Sequence, residues 1–422
     1  MLSAFAMLVA CSGQPATPVA LAPEGPDLPD LVVVTVDTLR PDHLGAWGHT
    51  RETSPWLDAR AAEGVLFERA YSTSAWTAPA MASLMTGLYP SEHGVRTALT
   101  AGQPTRPGLP LAVPTLAETL KAKGYATWAV TSNLHLSSEM GFGRGFDSFR
   151  ALGMVDDGNQ VVQVVEEWAP SPAPTLLWVH LLDPHGPYWP NSPWMEGFLV
   201  DEGLGTDLVA PLYPKTAPQH DANPALTPGS DGLKVLELLY DSEIRLVDAL
   251  LERMHAALPS SDSPLWAVTS DHGEAFREHG RIGHWLSLYE EEVRVPMLLF
   301  GGGLERQRVQ HPVNLLHLND ALVALASGQE PHFAERPLLL ETNYRDGRPG
   351  AERGLLRGSL KQIEGRVYDL SKDPGEVHPT EADPAPVTDA FSALTRHEPS
   401  SVAVTEDVRE LELLRAMGYV DE

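Results

Sequence analysis

Leu31-Val32-Val33-Val34-Thr35-Val36, closed at once by Asp37, is the stretch on which the fold turns. Six aliphatic or β-branched residues in a row, with no polar alternation, read as a strand covered on both faces, the habit of a parallel sheet between two layers of helices. Three later runs repeat the device. Ala126 to Thr131 leads into Ser132 and Asn133, Leu176 to Leu182 into Asp183 and His185, and Leu265 to Thr269 into Asp271 and His272. Ligands of open α/β sheets bind beyond the carboxyl ends of the strands, so these four polar exits are expected on one rim.

Between the runs, a helix is predicted over Pro114–Lys123, stopped by Gly124, and a longer one over Lys234–Leu258, with Leu239, Val247, Leu250, Leu251 and Met254 as its apolar stripe. Asn191 to Gly232 is rich in Pro, Gly and Asp without a clear period and reads as a long surface insertion that shapes substrate access. Beyond Gln329 the pattern turns to short strands and turns, a small C-terminal subdomain. The expected organisation is a lipoprotein signal peptide over 1–10, a Pro/Ala-rich tether over 11–29, a catalytic domain over 30–328 and the subdomain over 329–422.

Composition narrows the function. A chain of 422 residues, 43% hydrophobic, has material for one large α/β domain and a smaller one. Its 30 basic and 57 acidic residues give a net charge of −27, which repels nucleic acid and anionic lipid surfaces at long range. An anionic ester binds such a protein only where a metal ion and histidines reverse the local potential. The single cysteine, Cys11, excludes a disulfide within the chain. Leu8-Val9-Ala10-Cys11 resembles a bacterial lipobox, which implies a lipid anchor on Cys11 as the sole membrane contact and a periplasmic or outer-surface location. No Lys or Arg precedes Cys11, and the competing reading is a frayed N-terminus with an unrelated cysteine.

The chemistry centres on Trp76-Thr77-Ala78-Pro79-Ala80-Met81-Ala82-Ser83-Leu84-Met85-Thr86-Gly87. Pro79 belongs in a first helical turn and Gly87 just past a helix end, so Thr77 is placed at or just before the N-cap. A hydroxyl there faces unsatisfied N–H groups and the positive end of the helix dipole, which favour an alkoxide and an anionic ester. Standing alone, Thr77 would be a helix cap.

It does not stand alone. The segment from Thr77 through Gly87-Leu88-Tyr89-Pro90 to His93-Gly94, Val36-Asp37-Thr38-Leu39-Arg40-Pro41-Asp42-His43, His180-Leu181-Leu182-Asp183-Pro184-His185-Gly186-Pro187-Tyr188, Ser270-Asp271-His272-Gly273-Glu274 with Gly283-His284, Tyr368-Asp369-Leu370-Ser371-Lys372-Asp373-Pro374-Gly375 and the closing Leu414 to Tyr419 together resemble the sulfatase branch of the alkaline-phosphatase superfamily, in family order. The resemblance implies an alkaline-phosphatase-like three-layer sandwich with a mostly parallel central sheet and a small C-terminal α+β subdomain. It also implies a metal-dependent hydrolase of a phosphate or sulfate ester. Two departures stand out. Thr77 occupies the place of the Cys or Ser that matures to formylglycine, and Met81 that of the Arg of the maturation motif; threonine does not give the aldehyde, and superfamily relatives with an unmodified threonine act on phosphorus.

By the same resemblance Asp37, Thr77, Asp271 and His272 would hold a metal ion. This mixed oxygen and nitrogen set favours zinc or manganese over calcium or magnesium. His185 and His284 would contact the ester and its leaving group, or ligate a second ion with Asp183; one ion or two is open. An isolated Asp-His-Gly would be no more than a turn. His180 and Asn133 are weaker candidates, and Arg40, Asp42 and His43 read equally as a turn with a salt bridge. The expected partner is an anionic ester of a small molecule, glycan or lipid headgroup. A phospho-group transferase and a surface lipoprotein that uses the fold only to bind are the alternatives. Gly301-Gly302-Gly303 reads as a turn, and Glu290-Glu291-Glu292 as a solvated face or helix end.

Overall fold

The computed structural model describes residues 28–405 apart from 96–104, 155–156, 169–170, 190–191, 214, 259–263, 285–286, 343–352, 364 and 381–401. The expected leader, Cys11, the tether as far as residue 27 and the closing Leu414 to Tyr419 block lie outside the described residues.

Eight strands form the central sheet: β1 (Leu31–Val36), β2 (Val65–Phe67), β3 (Ala126–Thr131), β4 (Ser148–Ala151), β5 (Thr175–Leu181), β6 (Leu265–Ser270), β7 (Met297–Phe300) and β8 (Gln307–Val309), in the order β8-β2-β7-β6-β1-β5-β3-β4. β1 runs parallel to β5 and β6, with Leu31 opposite Leu176 and Leu265, and Val36 opposite Leu181 and Ser270. This level register delivers Asp37 and Asp271 side by side at the carboxyl rim. β7 is antiparallel to both its neighbours.

Alternation along each strand builds the two other layers. Val32, Val34, Val36, Leu177, Val179, Leu181 and Val268 pack with α4 (Gly158–Glu166) and the long α6 (Asp231–Ala257); α1 (Pro55–Ala61) joins this face. The intervening Leu31, Val33, Leu176, Trp178, Leu265 and Ala267 pack with α2 (Thr77–Thr86), α3 (Leu116–Lys121) and α7 (Leu315–Leu325). The result is the expected three-layer α/β arrangement.

Several local expectations shift. The insertion carries helices: in α5 (Met195–Asp201), Met195, Phe198 and Leu199 are buried at i, i+3 and i+4, a stripe too short to stand out among prolines and glycines. Glu290 to Glu292 is no solvated face. It opens the short helix Glu290–Val293 with Glu291 and Glu292 buried, Glu291 against His279 at 2.7 Å and Glu292 accepting from Ser287 Oγ at 2.6 Å. Gly301, Gly302 and Gly303 all have positive φ, which suits a turn only glycine adopts without strain.

Beyond residue 329 the described residues form an antiparallel sheet, β9 (Leu338–Glu341), β10 (Arg353–Arg357), β11 (Leu360–Ile363) and β12 (Arg366–Asp369), with no helix among them. Lys361 of β11 is fully buried, its Nζ 2.9 Å from Glu290 and 3.0 Å from Glu376. No helix among the described residues is long and apolar enough to cross a membrane.

Candidate active site

The turn after β1 starts the site. Thr38 has φ +54°, a left-handed conformation unusual for a β-branched residue and costing about 1–3 kcal/mol. Its neighbours hold it there: Thr38 N donates to Asp271 Oδ1 at 3.2 Å, Tyr240 Oη donates to Thr38 O at 2.6 Å, and Leu39 N donates to Ser270 Oγ at 2.9 Å. Asp37, in consequence, faces inward and is fully buried. Its Oδ2 accepts from Asn133 Nδ2 at 2.7 Å and lies 3.4 Å from His180 Nε2. Its Oδ1 has no hydrogen-bond partner.

Asp271 and His272 leave β6 beside it. Asp271 Oδ1 accepts from the backbone N of His272 at 2.8 Å, and its buried Oδ2 has no hydrogen-bond partner. His272 Nδ1 lies 2.9 Å from Gly273 O, and a carbonyl only accepts, so Nδ1 carries the hydrogen and Nε2 presents a lone pair. That lone pair meets Asp271 Oδ2 at 3.3 Å and Asp37 Oδ1 at 3.6 Å.

Thr77 is the first residue of α2, with Trp76 as N-cap, one position further into the helix than the sequence suggests. Its Oγ1 lies 3.3 Å from His272 Nε2. Burial pushes the Asp37 carboxyl up, but the hydrogen bond with His180 and the imidazoles of His185 and His272 hold it below the usual carboxylate range. Burial and the charge on Asp37 push Asp271 up to about 6.

Two carboxylate oxygens and an imidazole lone pair, all buried and converging within 4.8 Å, repel one another unless a cation lies between them. The spacings suit one. Ligands about 2.1 Å from a tetrahedral ion stand roughly 3.4 Å apart, close to the 3.3 and 3.6 Å found here. Asp37, Asp271, His272 and the Thr77 hydroxyl therefore fit a divalent metal.

Beside this set, the His284 ring lies 4.4 Å from that of His272 and 5.0 Å from that of His185, centroid to centroid. His185 donates from Nδ1 to Gly186 O at 2.6 Å. Asp183 accepts from Gly158 N at the start of α4 at 3.0 Å, a task not anticipated for it. Arg40 pairs with Asp42 at 2.7 Å, the turn reading, and His43 with Asp241 at 2.6 Å. His43, His49 and Asp241 form a second cluster of ligand type, but Arg51 already neutralises Asp241.

Sequence reasoning gave no role to Glu274. It is fully buried with Oε1 3.1 Å from His284 Nδ1, and burial pushes it up to about 7 against the opposing pull of His185 and His272. The signal was its place two residues after His272 within the quoted motif.

The family model described as Sulfatase matches residues 29–328. Human arylsulfatase A is 27% identical, over 88% of this chain and 80% of that enzyme. The Delta 4,5-hexuronate-2-O-sulfatase of Bacteroides thetaiotaomicron is 22% identical, over 84% and 85%. Among solved structures, the phosphonate monoester hydrolase of Agrobacterium radiobacter superposes with a TM-score of 0.64 at 20% identity, covering 93% of this chain and 96% of that one.

Proposed function

Because this chain belongs to the sulfatase family and is a hydrolase of sulfuric or phosphoric ester bonds, we propose that unmodified Thr77 is its nucleophile and that Asp37, Asp271 and His272, with Thr77, hold one divalent ion, zinc or manganese by donor type. The observation that carries the reading is the convergence of two unpartnered carboxylate oxygens and the His272 lone pair on the Thr77 hydroxyl. When bound, the ion lowers the pKa of the hydroxyl and polarises the ester.

The chain's own groups supply the rest. Thr77 attacks in line from the first turn of α2, where free backbone N–H groups and the helix dipole favour the ester oxygens. His185 and His284 face the departing group, and water resolves the threonyl ester. The substrate is an anionic ester of a small molecule, a glycan or a lipid headgroup, with hydrolysis preferred over phospho-group transfer. The sulfated substrate named for the Bacteroides relative supports the glycan class.

The test is a panel of aryl sulfate and phosphate mono- and diesters with metal-loaded protein. Thr77→Ala is expected to lower kcat at least about 10³-fold, with a stoichiometric ion still bound by the other three ligands. Full activity in that variant would remove Thr77 from the mechanism.

A further inference from the structure

Thr35 is the one polar residue inside the apolar run of β1, and it is fully buried. It lies two residues before Asp37, so both side chains leave the same face of the sheet. In register it stands opposite His180 of β5. Trp178, two residues before His180, shares that face too.

These three side chains form one directional chain. The Trp178 indole N–H, which only donates, reaches Thr35 Oγ1 at 3.1 Å. Thr35 Oγ1 lies 2.8 Å from His180 Nδ1, and its distance to Val179 O is longer, 3.3 Å. The Asp37 carboxylate only accepts, so His180 Nε2, 3.4 Å from Asp37 Oδ2, carries the ring hydrogen, and Nδ1 then takes the Thr35 hydrogen in preference to Val179 O. Traced back from Asp37, each link fixes the sense of the one before it, and the chain ends on the Asp37 oxygen turned away from His272.

We propose that Thr35 is a positioning residue for the metal centre: through His180 it holds Asp37 in the rotamer that aims Oδ1 at His272 and Thr77. The inference rests on the reading that Asp37, Asp271 and His272 bind an ion. Without the hydroxyl, the His180 hydrogen is free to sit on Nδ1, and a lone pair then opposes the carboxylate. Asn133 alone would anchor Oδ2.

The experiment titrates zinc and, separately, manganese into the metal-free full chain by calorimetry. It compares wild type with Thr35→Val, Thr35→Ser and Thr127→Val. Thr127 is an equally buried strand threonine whose hydroxyl serves Gly145 and Asp147, away from the rim, so its loss controls for the removal of a buried hydroxyl as such. Thr35→Val is expected to weaken binding about 10- to 100-fold, the size of effect that outer-shell partners of metal ligands have. Thr35→Ser is expected to restore it to within about threefold, and Thr127→Val to leave it unchanged while losing comparable stability in denaturant. If Thr35→Val does not fold, His180→Gln carries the same expectation. Wild-type affinity in Thr35→Val, or an equal loss in Thr127→Val, overturns the inference. Wild type that takes up neither ion overturns the metal reading itself, and this inference with it.

Discussion

At the scale of single residues, the site leaves one oxygen each of Asp37 and Asp271 without a hydrogen-bond partner and ties its other groups to neighbours. Glu274 shows how. Its carboxylate holds His284 by Nδ1, and the backbone before it has no freedom, since a Cβ at Gly273 would stand 2.1 Å from Glu291 O. Glu274→Ala lets the His284 ring turn. The expected outcome is a kcat on alkyl esters lowered by about 10²-fold and a much smaller loss on nitrophenyl esters, whose oxygen departs unaided. Parallel kinetics with the two ester types check it. The grouping of Asp37, Asp271 and His272 was expected because each follows a strand readable in the sequence, and Thr77 because Pro79 and Gly87 bracket its helix. The contact of Thr35 with His180 was not, because it depends on which strands become neighbours, and a single sequence does not state strand order.

Among the elements, α7 carries a separate titration far from the rim. His317 sits in its first turn, where Nε2 donates to Ala334 O at 3.1 Å and Nδ1 lies 2.8 Å from Asn314 Oδ1 and 3.1 Å from Asn314 N. Burial, with Arg336 nearby, depresses it to about 4. Below about 6.5 the unfolded chain takes up a proton that the folded chain refuses until about 4, so this contribution is complete above that window and lost as pH falls through it. Unfolding free energy is expected to drop by roughly 2 kcal/mol between pH 7 and pH 5, and His317→Gln to flatten that slope. Denaturant melts at the two pH values decide. Element reading from sequence succeeded where periodicity was long. The predicted helix over Lys234–Leu258 appears as Asp231–Ala257, and β1 and β3 have the predicted bounds. It missed α5, whose single apolar stripe is supplied by packing on α6 and not by propensity.

For the whole molecule, the acidic balance and the two halves of the chain matter most. The net charge of −27 repels an anionic ester at long range. The on-rate for a charged ester is therefore expected to rise with ionic strength, the reverse of a steered enzyme, and kcat/KM at low and physiological salt measures it. The C-terminal location of short strands was readable from turn-rich sequence, whereas its dependence on a buried cation was hidden in Lys361, which looks like any strand lysine. Replacing Lys361 by Met leaves Glu290 and Glu376 facing each other and is expected to cost about 3–5 kcal/mol in unfolding free energy.

That buried lysine also says where the gene should not be cut. A fragment ending at residue 328 retains Glu290 but discards both Lys361 and Glu376, so a carboxylate that the intact protein neutralises would face the exposed scar of the missing sheet. The same cut would also strip Leu338, Leu340, Leu356 and Ile363 from the apolar cluster they share with Tyr71, Ala75, Leu288 and Val293, and leave that half of the cluster facing water.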